Sequence, residues 1–268
     1  MHIPSVSLLP FSPTRTTRTI VQHIAHGIDA ESILDIDLTT PDAKTRQVED
    51  LRDTVAILGA PVYAGRVPVE AIARLGRIRA HSTPAIIVVV YGNRAYEDAL
   101  LELRDIALER GFVPIAAGAF VGEHSFSTAD TPIAVGRPDP RDIATAEAFG
   151  RRIAEKVRMA TAWDQLSGLT VPGNHPYRER PQFPEDSPET DASRCVTCGT
   201  CATVCPTAAI TVTDTVTTDK RACLICCACV KACPTGARTM TIPKMLQSAT
   251  RLSQQCRERK EPETFFAV

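Results

Sequence analysis

The chain has 268 residues, of which 44% are hydrophobic and 23% charged, and a formal net charge of −1. That length and balance suit one large or two ordinary globular domains and exclude wholesale disorder. Near-neutral charge argues against nucleic acid or an anionic membrane as the main partner. No apolar run approaches the roughly 18 residues a membrane-spanning helix needs; the longest, AIIVVV at 85–90, has the length of a strand.

Residues 4–166 read as alternating strands and helices. The N-terminal MHIPSVSLLPFSP has no basic leader and is broken by prolines, so no secretory signal is expected. Strands are expected at 6–11, 33–38, 54–59, 84–91 and 112–119. Helices are expected near 18–26, 67–80 and 95–110, and a long one over 140–163 has Pro140 in its first turn. The strands are continuous apolar runs, which points to a parallel sheet covered on both faces. Five such strands fit a doubly wound α/β sheet, whose ligand belongs at the C-terminal strand ends.

Pro172, Pro176, Pro181, Pro184 and Pro188 make 167–190 an extended, stiff linker. Past it, CVTCGTCATVCPT at 195–207 recurs as CLICCACVKACPT at 223–235, offset by 28 residues. Nine of the 10 cysteines lie in this region, and the first 194 residues contain none. With no sign of export, clustered cysteines point to metal rather than to disulfides. The expected boundaries are a body over 1–166, the linker, a cysteine module over 191–242, and a helix and tail over 243–268 that resembles a docking appendage.

Each cysteine copy reads C-x2-C-x2-C-x3-C-P, the run of bacterial two-cluster ferredoxins, in which the fourth cysteine serves the other cluster. Three cysteines on a tight loop reach three corners of one iron–sulfur cube, and the fourth starts a segment that points away. Cys195, Cys198, Cys201 and Cys233 are then expected to hold one [4Fe–4S] cluster, and Cys223, Cys226, Cys229 and Cys205 the other. Zinc knuckles use two C-x2-C pairs and do not account for the third and fourth cysteines. Cys227 lies off the ligand frame and reads as a small buried filler, and Cys256 as a free thiol on a terminal helix. Residues 191–268 carry ten Lys and Arg against six Asp and Glu, an excess that suits clusters of about −2 each or an ordinary solvated face.

Three loops in the body suggest a second ligand. Ser12, Thr14, Arg15, Thr16 and Thr17 follow the first strand and open a helix, as a phosphate site requires. There is no Walker loop and no G-x-G-x-x-G, so a dinucleotide is disfavoured. Pro61 and Tyr63 follow the third strand, and Tyr91, Gly92, Asn93 and Arg94 the fourth, placing rings and glycines where a planar heterocycle would sit.

The three loops in this order resemble those of flavodoxins. With both cysteine runs, the stretches PVYAGR, YGNRAYEDAL, GEHSFS and GRPDPRD resemble electron-transferring fusions of a flavodoxin-like domain with a bacterial-type ferredoxin. The resemblance implies a flavodoxin-like five-stranded sheet followed by a small α+β ferredoxin domain. It also implies FMN, with Ser12, Thr14, Thr16 and Thr17 at the phosphate and Tyr63 and 91–94 facing the isoalloxazine. Arg15 stands where flavodoxins have a loop glycine, a strained choice if that position needs positive φ. His124 and Ser125 read as structural or interdomain residues.

The expected function is cytoplasmic electron transfer between protein redox partners, through two clusters and FMN. The alternatives are a flavin-dependent reductase or quinone-type oxidoreductase with a built-in ferredoxin, and a ferredoxin whose flavodoxin-like domain serves only for docking.

Overall fold

β4 (Thr83–Tyr91) is buried along all nine residues, and the molecule is built around it. The computed structural model describes residues 1–48 and 50–267. In chain order its first part comprises β1 (Ser5–Pro10), α1 (Thr16–Ile28), β2 (Ser32–Asp35), β3 (Val55–Pro61), α2 (Val69–Leu75), β4, α3 (Ala99–Glu109), β5 (Phe112–Val121) and α4 (Pro140–Met159). These five strands pair in parallel in the order β2-β1-β3-β4-β5. That is the flavodoxin-like order, with its switch point between β1 and β3.

Successive side chains of β4 point to opposite faces. Ile87, Val89 and Tyr91 join the core layer under α2 and α3, and Ile86, Val88 and Val90 join the layer under α1 and α4. Both faces are covered, which is why the strand reads as one apolar run rather than an alternation. On the second face α1 and α4 approach closely. A Cβ on Gly27 would overlap the main-chain carbonyl of Glu147, and one on Gly150 that of Ile24. Helix α4 begins where Pro140 indicates. Asp139 caps it, accepting from the amides of Arg141 and Asp142, while the Asp142 carboxylate accepts from the Asp139 amide.

The second part comprises β6 (Glu189–Thr190), α5 (Thr200–Thr203), β7 (Ile210–Val212), β8 (Val216–Thr218), α6 (Ala228–Lys231) and β9 (Arg238–Thr239). β6 pairs with β9 and β7 with β8, both antiparallel. Then come α7 (Pro243–Gln255) and β10 (Glu263–Phe266).

Two expectations are corrected here. The 243–268 tail is not an appendage: β10 pairs antiparallel with β5 and adds a sixth strand to the five parallel ones. Phe266 packs on Phe149 with ring centroids 5.4 Å apart and lies under the Arg152 guanidinium. The proline-rich linker is not a free spacer either. Leu169 and Val171 are buried in the core, and the rest is strapped to α3. Asp98, Glu102 and Asp105 lie one helical turn apart along α3 and its cap, on one face. Asp98 accepts from the amides of Asn174 and Arg178, Glu102 pairs with Arg180, and Asp105 accepts from the Tyr177 hydroxyl. A row of carboxylates supplies the bonds that an extended chain cannot make to itself.

Candidate functional site

The cysteine copies fold into two loops that repeat in backbone as well as in sequence. Thr197 and Ile225, Gly199 and Cys227, and Ala208 and Gly236 form three pairs at the sequence offset, and all six have positive φ. Gly199 caps α5 and Cys227 caps α6. Cys227 thus stands at a position where its counterpart is glycine, buried at φ 60°.

Two small cavities lie inside the loops. Cys195, Cys198, Cys201 and Cys233 line one; Cys205, Cys223, Cys226 and Cys229 line the other, with Cys227 on its wall. Each fourth cysteine therefore crosses to the cavity of the opposite loop. Among the described residues, no three of these sulfurs come within 4.8 Å of one another. A single tetrahedral zinc would bring its thiolates to about 3.8 Å, given Zn–S bonds of about 2.3 Å. Four cysteines lining each cavity are the donor set that a four-iron cluster takes.

Charge points the same way. Arg238 is 3% exposed and lines the first cavity. One Nη donates to Thr190 Oγ1 at 2.8 Å and the other contacts Cys229 Sγ, from the second cavity, at 3.6 Å. Its Nε is buried with no partner among the described residues. A buried cation reaching both cavities with a donor to spare fits anionic occupants.

The two cavities differ in setting. Cys198 is exposed, and the Thr200 hydroxyl and amide draw its thiol below the ordinary range. Cys226 is buried, and burial pushes its thiol up to about 12. The first cavity faces outward, with Val196 63% exposed beside it, and the second faces the sheet domain.

A third cavity of about 580 Å³ lies at the C-terminal ends of β1, β3, β4 and β5, within the usual size range for a small-molecule site. Of the expected contacts, Thr14, Thr16, Pro61, Tyr63, Tyr91, Gly92 and Arg94 line it. Ser12, Arg15, Thr17 and Asn93 do not. Ser12 Oγ caps α1 by accepting from the Arg18 amide at 3.0 Å. Arg15 is exposed with φ 69°, so the left-handed conformation that favours glycine is present here. Thr17 Oγ1 is buried without a partner among the described residues. Thr14 and Thr16, which line the cavity at the start of α1, fit an anion at that helix terminus.

Asn93 is the clear departure. Its Nδ2 donates to the carbonyls of Cys256 and Glu258 at 2.9 and 2.8 Å, and its Oδ1 accepts from the Lys260 amide. Its side chain holds the C-terminal segment and is not available to a ligand.

Sequence reasoning missed the far walls. Helix α7 contributes Lys244, Ser248, Arg251 and Gln255, the linker adds Arg178 and Phe183, and the second cysteine loop adds Leu224 and Ile225. The helical spacing of the α7 residues was the one available signal, but nothing local tied that face to the sheet. His124 and Ser125, expected to be structural or interdomain, also line the cavity.

A family model described as a 4Fe-4S binding domain matches residues 188–211, and no curated protein matches the chain. Among solved structures, a flavodoxin from the domain Archaea is 14% identical, with 57% of this chain and 99% of that one covered and a TM-score of 0.37. Flavodoxin 2 from Bacillus cereus, in its oxidised form, is 19% identical, with 57% and 99% covered and a TM-score of 0.41. Rubredoxin oxygen:oxidoreductase from Desulfovibrio gigas is 10% identical, with 59% and 37% covered and a TM-score of 0.38.

The chain carries a sheet of flavodoxin-like strand order followed by a segment that matches a 4Fe-4S binding domain, and no helix among the described residues is long and apolar enough to cross a membrane.

Proposed function

We propose that the protein transfers electrons between an external protein partner and FMN through two [4Fe–4S] clusters. In this reading Cys195, Cys198, Cys201 and Cys233 hold the outer cluster, and Cys223, Cys226, Cys229 and Cys205 the inner one. Thr14 and Thr16 hold the phosphate of FMN with the amides at the start of α1, and Tyr63, Tyr91, Gly92 and Arg94 border its ring. The cofactors supply one-electron and paired-electron chemistry; the protein sets their separation, dielectric and hydrogen bonds.

One observation carries the reading. Leu224 lines both the inner cysteine cavity and the large cavity, so the two cavities share a wall. Tyr63, on the wall of the large cavity, lies close to Cys226 and Cys227, and burial, then these neighbours, raise its phenol well above the ordinary value. Arg238 supplies positive charge between the two cysteine sets. The outward face beside Cys198 and Val196 is where a protein partner would dock. Cysteines held as cluster ligands rather than disulfides suit a reducing compartment such as the cytoplasm.

Anaerobic purification followed by iron, sulfide and flavin analysis tests this. About eight irons, about eight sulfides and one FMN per chain are expected. One or two zincs without sulfide overturn the clusters, and full iron without flavin overturns the FMN assignment.

A second reading, a flavin-dependent oxidoreductase acting on a small acceptor, is favoured by the polar wall that α7 adds to the large cavity. Turnover of a nicotinamide or quinone without a protein partner selects it.

A further inference from the structure

The GEHSFS stretch at 122–127 places one imidazole in the large cavity with its proton already assigned. The Phe126 amide donates to His124 Nδ1 at 3.0 Å. That lone pair is engaged, so the single proton of the neutral ring sits on Nε2. No protein group takes that proton among the described residues, and Nε2 is not among the buried atoms left without a partner. That edge of the ring therefore opens into the cavity that His124 lines.

The surroundings fix the ring and keep it neutral. Gly92 lies against it, and a Cβ there would overlap the imidazole. Phe126 packs on it edge to face, with centroids 5.1 Å apart. Lys231, on α6, pairs with Glu123 and donates to the Ser127 carbonyl at 2.7 Å, pinning both ends of the loop to the cysteine domain. The Gly122 amide donates to the Tyr91 carbonyl at 3.0 Å. Three charged groups face the ring's neighbourhood: Lys231, Arg94 and Glu123. Burial, then Lys231 and Arg94, push the imidazole down to about 4.

We propose that His124 contacts the bound cofactor, donating from Nε2 to an acceptor atom on the edge of the heterocycle and so favouring its reduced, more electron-rich form. The inference rests on the FMN reading above. A neutral donor of fixed tautomer gains strength as negative charge builds on its acceptor.

The test compares FMN affinity in the oxidised and reduced states for the wild type, His124→Phe and His124→Gln, all loaded with iron. His124→Phe should lower the preference for reduced over oxidised FMN by about tenfold, the worth of one hydrogen bond to a charged acceptor. His124→Gln, which retains a side-chain N–H, should restore most of it. Equal iron content across the variants confirms folding. An unchanged preference in His124→Phe overturns the inference and leaves FMN binding standing. Iron-loaded wild type that binds no FMN overturns both. Nitrogen-15 NMR of the wild type adds an arm that needs no variant: a neutral ring protonated on Nδ1 overturns the proposal, and one protonated on Nε2 supports it.

Discussion

The guanidinium of Arg74, 1% exposed, donates to the main-chain carbonyl of Pro206, the residue after Cys205. The same group donates to the carbonyls of Leu38 and Thr40, pairs with Glu70 at 2.9 Å and lies over the Phe11 ring. One buried cation thus bolts the end of the first cysteine run, beside the inner cavity, to the sheet domain. Arg74→Met leaves the buried carbonyls of Leu38 and Pro206, and the half-buried one of Thr40, short of a donor, and a loss of about 3 kcal/mol is expected. Calorimetry should then show the cysteine domain melting apart from the sheet domain; one unshifted transition would count against the bolt.

Asn93, at φ 63° and buried, makes three hydrogen bonds to the segment between α7 and β10. Asn93→Ala removes all three and leaves the buried carbonyl of Cys256 unpaired, at a cost of about 1–3 kcal/mol. Amide exchange over 256–266 should speed up while β1–β4 stay protected. Unaltered protection of β10 would show that the strand pairing alone holds the tail.

The crossing of the fourth cysteines separates ligands from filler. Cys233→Ala should lower iron content by up to half, with loss centred on the outer cluster, although its residue number places it in the second loop. Cys227→Gly should retain the full complement and relieve the left-handed strain, worth about 1 kcal/mol. Iron loss in Cys227→Gly would make that thiol a ligand.

All four tyrosines have phenols pushed above their ordinary value, chiefly by burial; Tyr91 is raised to about 12. A raised folded value favours the protonated form, so this stability is present below pH ~10 and is lost as pH rises toward the folded value. Absorbance titration should find no phenol ionising in the native protein between pH 9.5 and 11, and release of all four together on unfolding. A phenol that titrates normally in the folded state would contradict the burial of its loop.

Arg15 holds a left-handed backbone at the start of α1. Arg15→Gly should raise stability by about 1 kcal/mol, measurable in denaturant. If FMN affinity falls at the same time, the exposed guanidinium contributes charge to the phosphate; if it rises, the strain was the larger effect.

What could be read from residues alone follows how local each signal is. The cysteine spacing encodes its geometry within 13 residues, and AIIVVV could only be a doubly buried strand. Arg15 announced its conformation by standing in a glycine position. The fate of Phe265 and Phe266 was not legible, because a four-residue strand finds its partner some 145 positions upstream. Asn93 looked like a ligand contact for the same reason: its loop is local, but the backbone that occupies its amide is not. The carboxylate row on α3 was visible as charge, yet only the folded linker gave it partners.

Because β10 borders β5, the sheet domain is assembled from both ends of the sequence, with the cysteine module spliced between them. During synthesis the β5 margin stays open until residues 263–266 leave the ribosome. An open strand margin invites other chains, and β10 is the element that closes it. A chain cut after residue 242 should aggregate even with its cysteine loops intact.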